Sequence, residues 1–302
     1  MILAVPLLVV VGAAAGPVLG NIHHLWLRRL ASWLLLATVI MGADSALSEY
    51  DSISRMVGIC CVLLGAMKSL VYAEWAGDQK LTLPRYCIFA FLWFGMDAAS
   101  FRTRRVGLSW KPDVRLGLLL MLVGTLSAWL VSVMEWRQIL IMFAPMSLGF
   151  HFGALRVLKG GLRAAGFPVR TLFPNVLEAT GIGDFWSRRW NVGYSQMMQR
   201  LIGRPVEALA GANAGVIAIF IASGLLHELA ITLPVRSGFG LPTLYFTLHG
   251  LLTLLEKKWG RPIGKIPALL AVILPLGLLF PPAFQSEVIA RCLSVIQWLE
   301  PN

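Results

Sequence analysis

Long apolar runs alternate with short polar loops along most of the chain. The runs cover residues 2–19, 30–42, 53–72, 116–134, 139–158, 209–233, 241–255 and 266–280. Several approach the ~20 residues that a helix needs to cross a bilayer core, so each is read as a span. The pair 116–134 and 139–158 predicts a helical hairpin with an outer turn at Glu135-Trp136-Arg137. Asp44, Glu49 and Asp51 are expected in an acidic loop, and Lys68 is expected to snorkel from the end of its span.

Residues 86–98 are apolar and aromatic but short, and Arg102, Arg104, Arg105, Lys111 and Arg115 follow them. If this stretch dips into the membrane and returns, every strongly basic loop falls on one side, as the positive-inside rule favours. A re-entrant element is therefore expected here, buried in protein or lining a cavity. Asp97 then either faces a polar cavity or caps a helix at the interface. Residues 284–300 read as an amphipathic tail or a partial further span. The whole predicts an all-α, polytopic transmembrane helix bundle of about eight spans, with one re-entrant element and interfacial helices. The N-terminus is expected outside, the first span uncleaved, and residues 1–302 one integral-membrane domain.

Composition sharpens this reading. Of 302 residues, 57% are hydrophobic and 14% charged, against roughly 25% charged in soluble domains. The net charge of +11 suits cytoplasmic loops, anionic headgroups or a phosphorylated acyl carrier rather than nucleic acid. Cys60, Cys61, Cys87 and Cys292 have no metal-site spacing. His23 and His24 are read as interfacial. The longest polar region, 159–207, holds Arg163, Arg170, Arg188, Arg189, Arg200 and Arg204, with Gly160-Gly161, Pro168, Pro174 and Pro205 as breaks. It predicts short cytoplasmic interfacial helices.

Two stretches carry candidate chemistry. Asp184-Phe185-Trp186-Ser187-Arg188-Arg189-Trp190-Asn191 packs aromatics, arginines and an asparagine together. Read as one helix, Asp184, Ser187, Arg188 and Asn191 share a face, Asp184 pairs with Arg188, and Arg189 lies on the other side. His227 stands inside an apolar segment, where an ionisable group is costly and faces a cavity or a partner. Ser223 and Gly224 share its face and leave room for a substrate. Ser223 is either a nucleophile or, as hydroxyls in spans often are, bonded to the carbonyl one turn back. His151 and His249 lie in other spans, and packing is the plainer role for His151.

These residues carry a resemblance. Asp184–Asn191, then Ser223-Gly224-Leu225-Leu226-His227-Glu228-Leu229, then Leu248-His249-Gly250, resemble the wax synthase branch of the membrane-bound O-acyltransferases over residues 175–256. Trp93-Phe94-Gly95-Met96-Asp97 resembles a further stretch of that branch. The family pattern usually has Gly where Ser187 stands, and often Ser or Thr where Gly181 stands; the second difference removes a helix-capping hydroxyl.

The resemblance implies transfer of an acyl group from acyl-CoA to the hydroxyl of a lipophilic acceptor, most simply a long-chain alcohol to give a wax ester. Acyl-CoA is then a co-substrate, and no bound cofactor or metal is expected. His227 is the expected general base. Asn191 carries over as the second active-site residue, donating to the thioester carbonyl or orienting a reactant. Direct transfer needs no covalent intermediate. Arg188, Arg189, Arg200 and Arg204 are candidates for the CoA phosphates. Trp186 and Trp190 flank an entrance or anchor the interface. Asp184, Ser223 and His249 are candidate support or tunnel residues.

Two other readings stand beside this one. The acceptor is alternatively a sterol or other terpenoid hydroxyl. In a different class, His151, His227 and His249 form the relay of a proton-coupled transporter, although no inverted repeat is present. The sequence speaks against a metalloprotease, because the second His of H-E-x-x-H is missing after His227-Glu228. The membrane is either a bacterial inner membrane or the endoplasmic reticulum, and the sequence does not set the oligomeric state.

Overall fold

Apolar runs with few charges satisfy their own backbone groups by coiling, and helices result throughout. The computed structural model describes residues 4–76, 80–134 and 139–292, and every regular element among them is helical. Among the described residues, four helices are long and apolar enough to cross a membrane: Leu25–Ala46, Ser52–Trp75, Lys111–Val133 and Ala212–Val235. The chain is an integral, multi-pass membrane protein. It divides into two compact units, residues 1–108 with 165–169, and residues 109–164 with 170–302.

In the first unit, Ser52–Trp75 is the core element. Its apolar window is 72% buried, against 22% for Leu25–Ala46. Asp51 caps its start, accepting the Ile53 and Ser54 N–H groups at 3.0 and 3.2 Å. Asp44 belongs to Leu25–Ala46 rather than to an acidic loop, and it pairs with Arg55 at 2.9 Å. Lys68 does not snorkel. It is fully buried, its ammonium donates to the Gly95 carbonyl, and it lies 4.1 Å from the centre of the Phe89 ring. The reason is local: the helix Leu83–Leu92 ends at extended Trp93, and the loop beyond it presents a carbonyl to the buried amine. Asp97 caps the short helix Ala98–Phe101, accepting from Ala99 N–H at 3.1 Å and Ser100 Oγ at 2.7 Å.

The second unit contains the hairpin. Lys111–Val133 packs against Ile139–Ser147, the π-helical Leu148–Ala154 and Leu155–Ala164. Glycines let these helices meet: a Cβ on Gly117 or Gly124 would fall within 3 Å of backbone atoms at Gly153, Val157, Gly149 or Pro145. Small residues are the usual means of close helix approach in lipid. The expected turn at 135–137 lies outside the described residues. Residues 170–211 form a run of short helices, as the breaks in the sequence predict. Ala212–His227 runs on through a π-helical Glu228–Thr232 and packs on Leu241–Trp259. The run 266–280 is interrupted at Pro275, leaving Lys265–Ile273 and Leu276–Leu279, since proline cannot continue the backbone ladder. The chain then bends by 82° into Pro282–Cys292. The rest of the expected tail, from residue 293, lies outside the described residues.

Candidate active site

The stretch 184–191 is not one helix. Ile182–Asp184 passes into a π-helical turn, Phe185–Arg189; Trp190 is extended, and Asn191 takes a left-handed conformation at φ 43°. Asparagine tolerates this region better than most residues. Asn191 therefore does not share a face with Asp184. It stands at the start of the next helix, Val192–Met198, where its Oδ1 accepts the Tyr194 N–H at 3.3 Å. That uses the amide's acceptor and leaves its NH₂ donors.

The π turn also corrects the placement of Arg189. Arg188 Nε meets Asp184 Oδ1 at 2.9 Å, as the i,i+4 spacing predicts. Five residues per hydrogen-bonded turn then bring Arg189 onto the same carboxylate, Nε to Oδ2 at 2.9 Å. Arg189 further donates to the Asn175 carbonyl at 3.1 Å and lies 3.6 Å from Glu178. Burial alone would raise the Asp184 carboxyl pKa, but the Thr180 N–H and the two guanidiniums outweigh it and hold it below its ordinary value. Arg188 is 73% exposed and Arg189 23%, so Arg189 is the structural partner.

Neighbouring aromatics diverge from this turn. Phe185 stacks on Trp190 with centroids 5.6 Å apart, and Trp190 lies 5.4 Å from the His151 ring and 4.9 Å from Phe173. Trp186 turns the other way, 5.2 Å from Phe246 and 5.5 Å from His249. Both tryptophans are half-buried in these ring clusters. His151 is held by Ser147 Oγ at 3.1 Å and by surrounding rings, and it lines a cavity of about 20 Å³ with Arg156, Lys159 and Thr171.

His227 sits at the end of Ala212–His227, where the π turn begins. Its Nδ1 lies 2.7 Å from the Ser223 carbonyl. A carbonyl only accepts, so Nδ1 carries the proton, and in the neutral ring Nε2 carries the lone pair. The Phe246 ring lies 4.4 Å from the imidazole and the Tyr194 ring 6.3 Å away, edge on. Ser223 Oγ donates to the Ile219 carbonyl at 2.8 Å, the bond one turn back. Gly224 does not leave room for a substrate: a Cβ there would lie 2.5 Å from the Thr243 Cα, because the neighbouring helix fills that space. His249 is buried, with Nδ1 2.8 Å from the Tyr245 carbonyl and Nε2 3.1 Å from that of Ala271. No hydrogen bond joins it to His227, and the three span histidines form no hydrogen-bonded relay among the described residues. Arg200 and Arg204, four residues apart, are exposed and carry no ion pair among the described residues.

Two carboxylates missed by the sequence reading fasten this site. Glu228 Oε1 accepts the N–H groups of Gly240 and Thr243 at 3.0 and 3.1 Å and the Thr243 hydroxyl at 2.9 Å, while Oε2 takes the Thr232 hydroxyl at 2.5 Å. Glu256 accepts the N–H groups of Ile182, Gly183 and Ile263 at 2.9, 3.0 and 3.2 Å. Each caps a helix start whose own N-cap residue is glycine, Gly240 or Gly181. The missing local cap was the available signal.

Comparison with known proteins bears on the same stretch. Residues 169–248 match the membrane bound O-acyl transferase family. The chain is similar to probable long-chain-alcohol O-fatty-acyltransferase 2 of Arabidopsis thaliana, 31% identical over 154 residues, which is 43% of this chain and 45% of that protein. It is 33% identical over 114 residues to probable long-chain-alcohol O-fatty-acyltransferase 1 of the same plant, covering 32% and 33% of the two. It is 32% identical over 108 residues to the long-chain-alcohol O-fatty-acyltransferase of Simmondsia chinensis, covering 32% and 31%. The chain spans less than half the length of these relatives. The resemblance read from the 184–191, 223–229 and 248–250 motifs is borne out.

Proposed function

From the family match over residues 169–248, we propose that the protein is an acyl-CoA-dependent O-acyltransferase that esterifies a long-chain alcohol to a wax ester. The observation that carries this reading is the Nδ1–H bond from His227 to the Ser223 carbonyl, which leaves Nε2 as the basic nitrogen inside the matched segment. Nε2 takes the alcohol proton as the oxygen attacks the thioester carbonyl. The new C–O bond forms, the C–S bond breaks, and the imidazolium returns the proton to the CoA thiolate. Free CoA and ester leave, and His227 is neutral again. Asn191 donates its amide N–H to the thioester oxygen as charge develops there.

Among the arginines, Arg200 and Arg204 are the phosphate ligands in this reading, because Arg188 and Arg189 are engaged by Asp184. The acyl chain and the alcohol reach the site from the bilayer. The bundle has about eight spans, with residues 86–98 as a re-entrant element. Supporting this, the helix Leu83–Leu92 has ten residues, about 15 Å of rise and half a hydrocarbon core. The test is incubation of the purified protein with labelled long-chain acyl-CoA and a panel of fatty alcohols, sterols and short-chain alcohols. Wax ester formed preferentially from fatty alcohols is expected. Ester formed only from sterols reassigns the acceptor, and none from any pair overturns the reading.

A further inference from the structure

Tyr194 has a buried hydroxyl that the chemistry above does not use. Its oxygen makes no hydrogen bond of normal geometry among the described residues. It meets the Ser223 hydroxyl only loosely, and that group's own proton goes to the Ile219 carbonyl. A buried hydroxyl held only by so loose a contact keeps part of its desolvation cost, which folding alone gives no reason to retain. Its surroundings give one. Its ring stands edge on to His227 at 6.3 Å, above the helical turn whose Ser223 carbonyl holds His227 Nδ1. Its backbone N–H is bound by Asn191 Oδ1, so the residue is fixed between Asn191 and His227. Trp186 Nε1 is a buried donor with no hydrogen-bond partner among the described residues, and it borders the same ring cluster through Phe246.

We propose that the Tyr194 hydroxyl is a substrate-directed hydrogen-bond donor, aimed at the thioester oxygen on which negative charge develops when the alcohol attacks. This rests on the acyl-transfer reading of the His227 site. Tyr194 keeps its proton throughout; His227 alone moves one, from alcohol to leaving thiolate. The donor finds its acceptor in the reacting acyl group and pairs most strongly in the transition state, where the oxygen is most negative. Asn191, by taking the Tyr194 N–H, positions this hydroxyl as well as offering its own amide.

Tyr194→Phe separates this role from a structural one, because only the proposed role lowers turnover without lowering stability. Removing a buried hydroxyl that Ser223 holds only loosely leaves the melting temperature close to that of the wild type. Loss of a donor to the developing oxyanion lowers kcat about 100-fold with KM for acyl-CoA nearly unchanged. Steady-state ester formation and thermal melting of the detergent-purified wild type, Tyr194→Phe and Asn191→Ala give both readouts. Turnover by Tyr194→Phe at the wild-type rate, or a fall in turnover matched by a fall in melting temperature, overturns the inference while leaving the acyltransferase reading in place. An inactive wild type overturns the acyltransferase reading, and this inference with it.

Discussion

The carboxylate of Glu256 accepts the backbone N–H of Ile182 at 2.9 Å across 74 residues of sequence. It supplies the helix cap that Gly181, which has no side chain, does not. A Cβ on Gly181 would lie 2.4 Å from Glu256 Oε1, so the glycine and the remote carboxylate are one device. Gly181→Ser alone is predicted to displace Glu256 and destabilise the protein by about 1–3 kcal/mol. Glu256→Gln weakens the cap by a similar amount. In the double variant the serine caps the helix and the losses do not add. Melting of the four proteins checks this; additive losses refute the coupling.

Asp184 binds Arg188 and Arg189, but unequally. Arg188→Gln, at an exposed pair, is expected to change stability by about 0–1 kcal/mol, and Arg189→Gln by about 1–3 kcal/mol. The folded carboxyl has a depressed pKa. Its stabilisation is therefore complete above the unfolded value of about 4 and is lost as pH falls through the folded value. Stability measured from pH 7 downward should lose this component in Asp184→Asn, which is weaker at neutral pH and flatter in acid. An unchanged acid profile contradicts the assignment.

Gly224 lets the His227 helix touch Leu241–Trp259 at Thr243. Gly224→Ala is predicted to cost about 1–3 kcal/mol by overpacking. Because the imidazole is anchored one residue earlier, at the Ser223 carbonyl, activity should fall with it. A fully active, equally stable alanine variant would show that the contact gives way without consequence.

If Arg200 and Arg204 hold CoA phosphates, replacing either with Ala should raise KM for acyl-CoA about tenfold, the loss of about 1.4 kcal/mol of charge-assisted binding. The effect should shrink at high salt, with kcat nearly unchanged. Arg188→Ala should leave KM close to the wild type. Equal effects at all three positions would remove the distinction between paired and free arginines.

Much of this was legible in the sequence. The long apolar runs placed the helices, the Asp184–Arg188 spacing gave the ion pair, and Ser223 bonds one turn back as span hydroxyls do. Periodicity gives a straight 3.6-residue helix at 184–191, but a π turn, an extended Trp190 and a left-handed Asn191 move Arg189 and Asn191 off their expected faces. The π turns also lie at His151, at Arg200 and just after His227, where periodicity therefore misleads most. Glu228 and Glu256 act on backbone groups far away in sequence, and local pattern carries no record of that. Lys68 found a carbonyl inside the protein, which hydropathy alone does not reveal.

The central claim is that His227 Nε2 removes the alcohol proton. Single-turnover ester formation from labelled long-chain acyl-CoA and a fatty alcohol, wild type against folded His227→Ala, tests it most directly. Ester from the wild type and a rate lower by about 10²–10⁴ in the variant are expected. Ester formed at the wild-type rate by His227→Ala would contradict it.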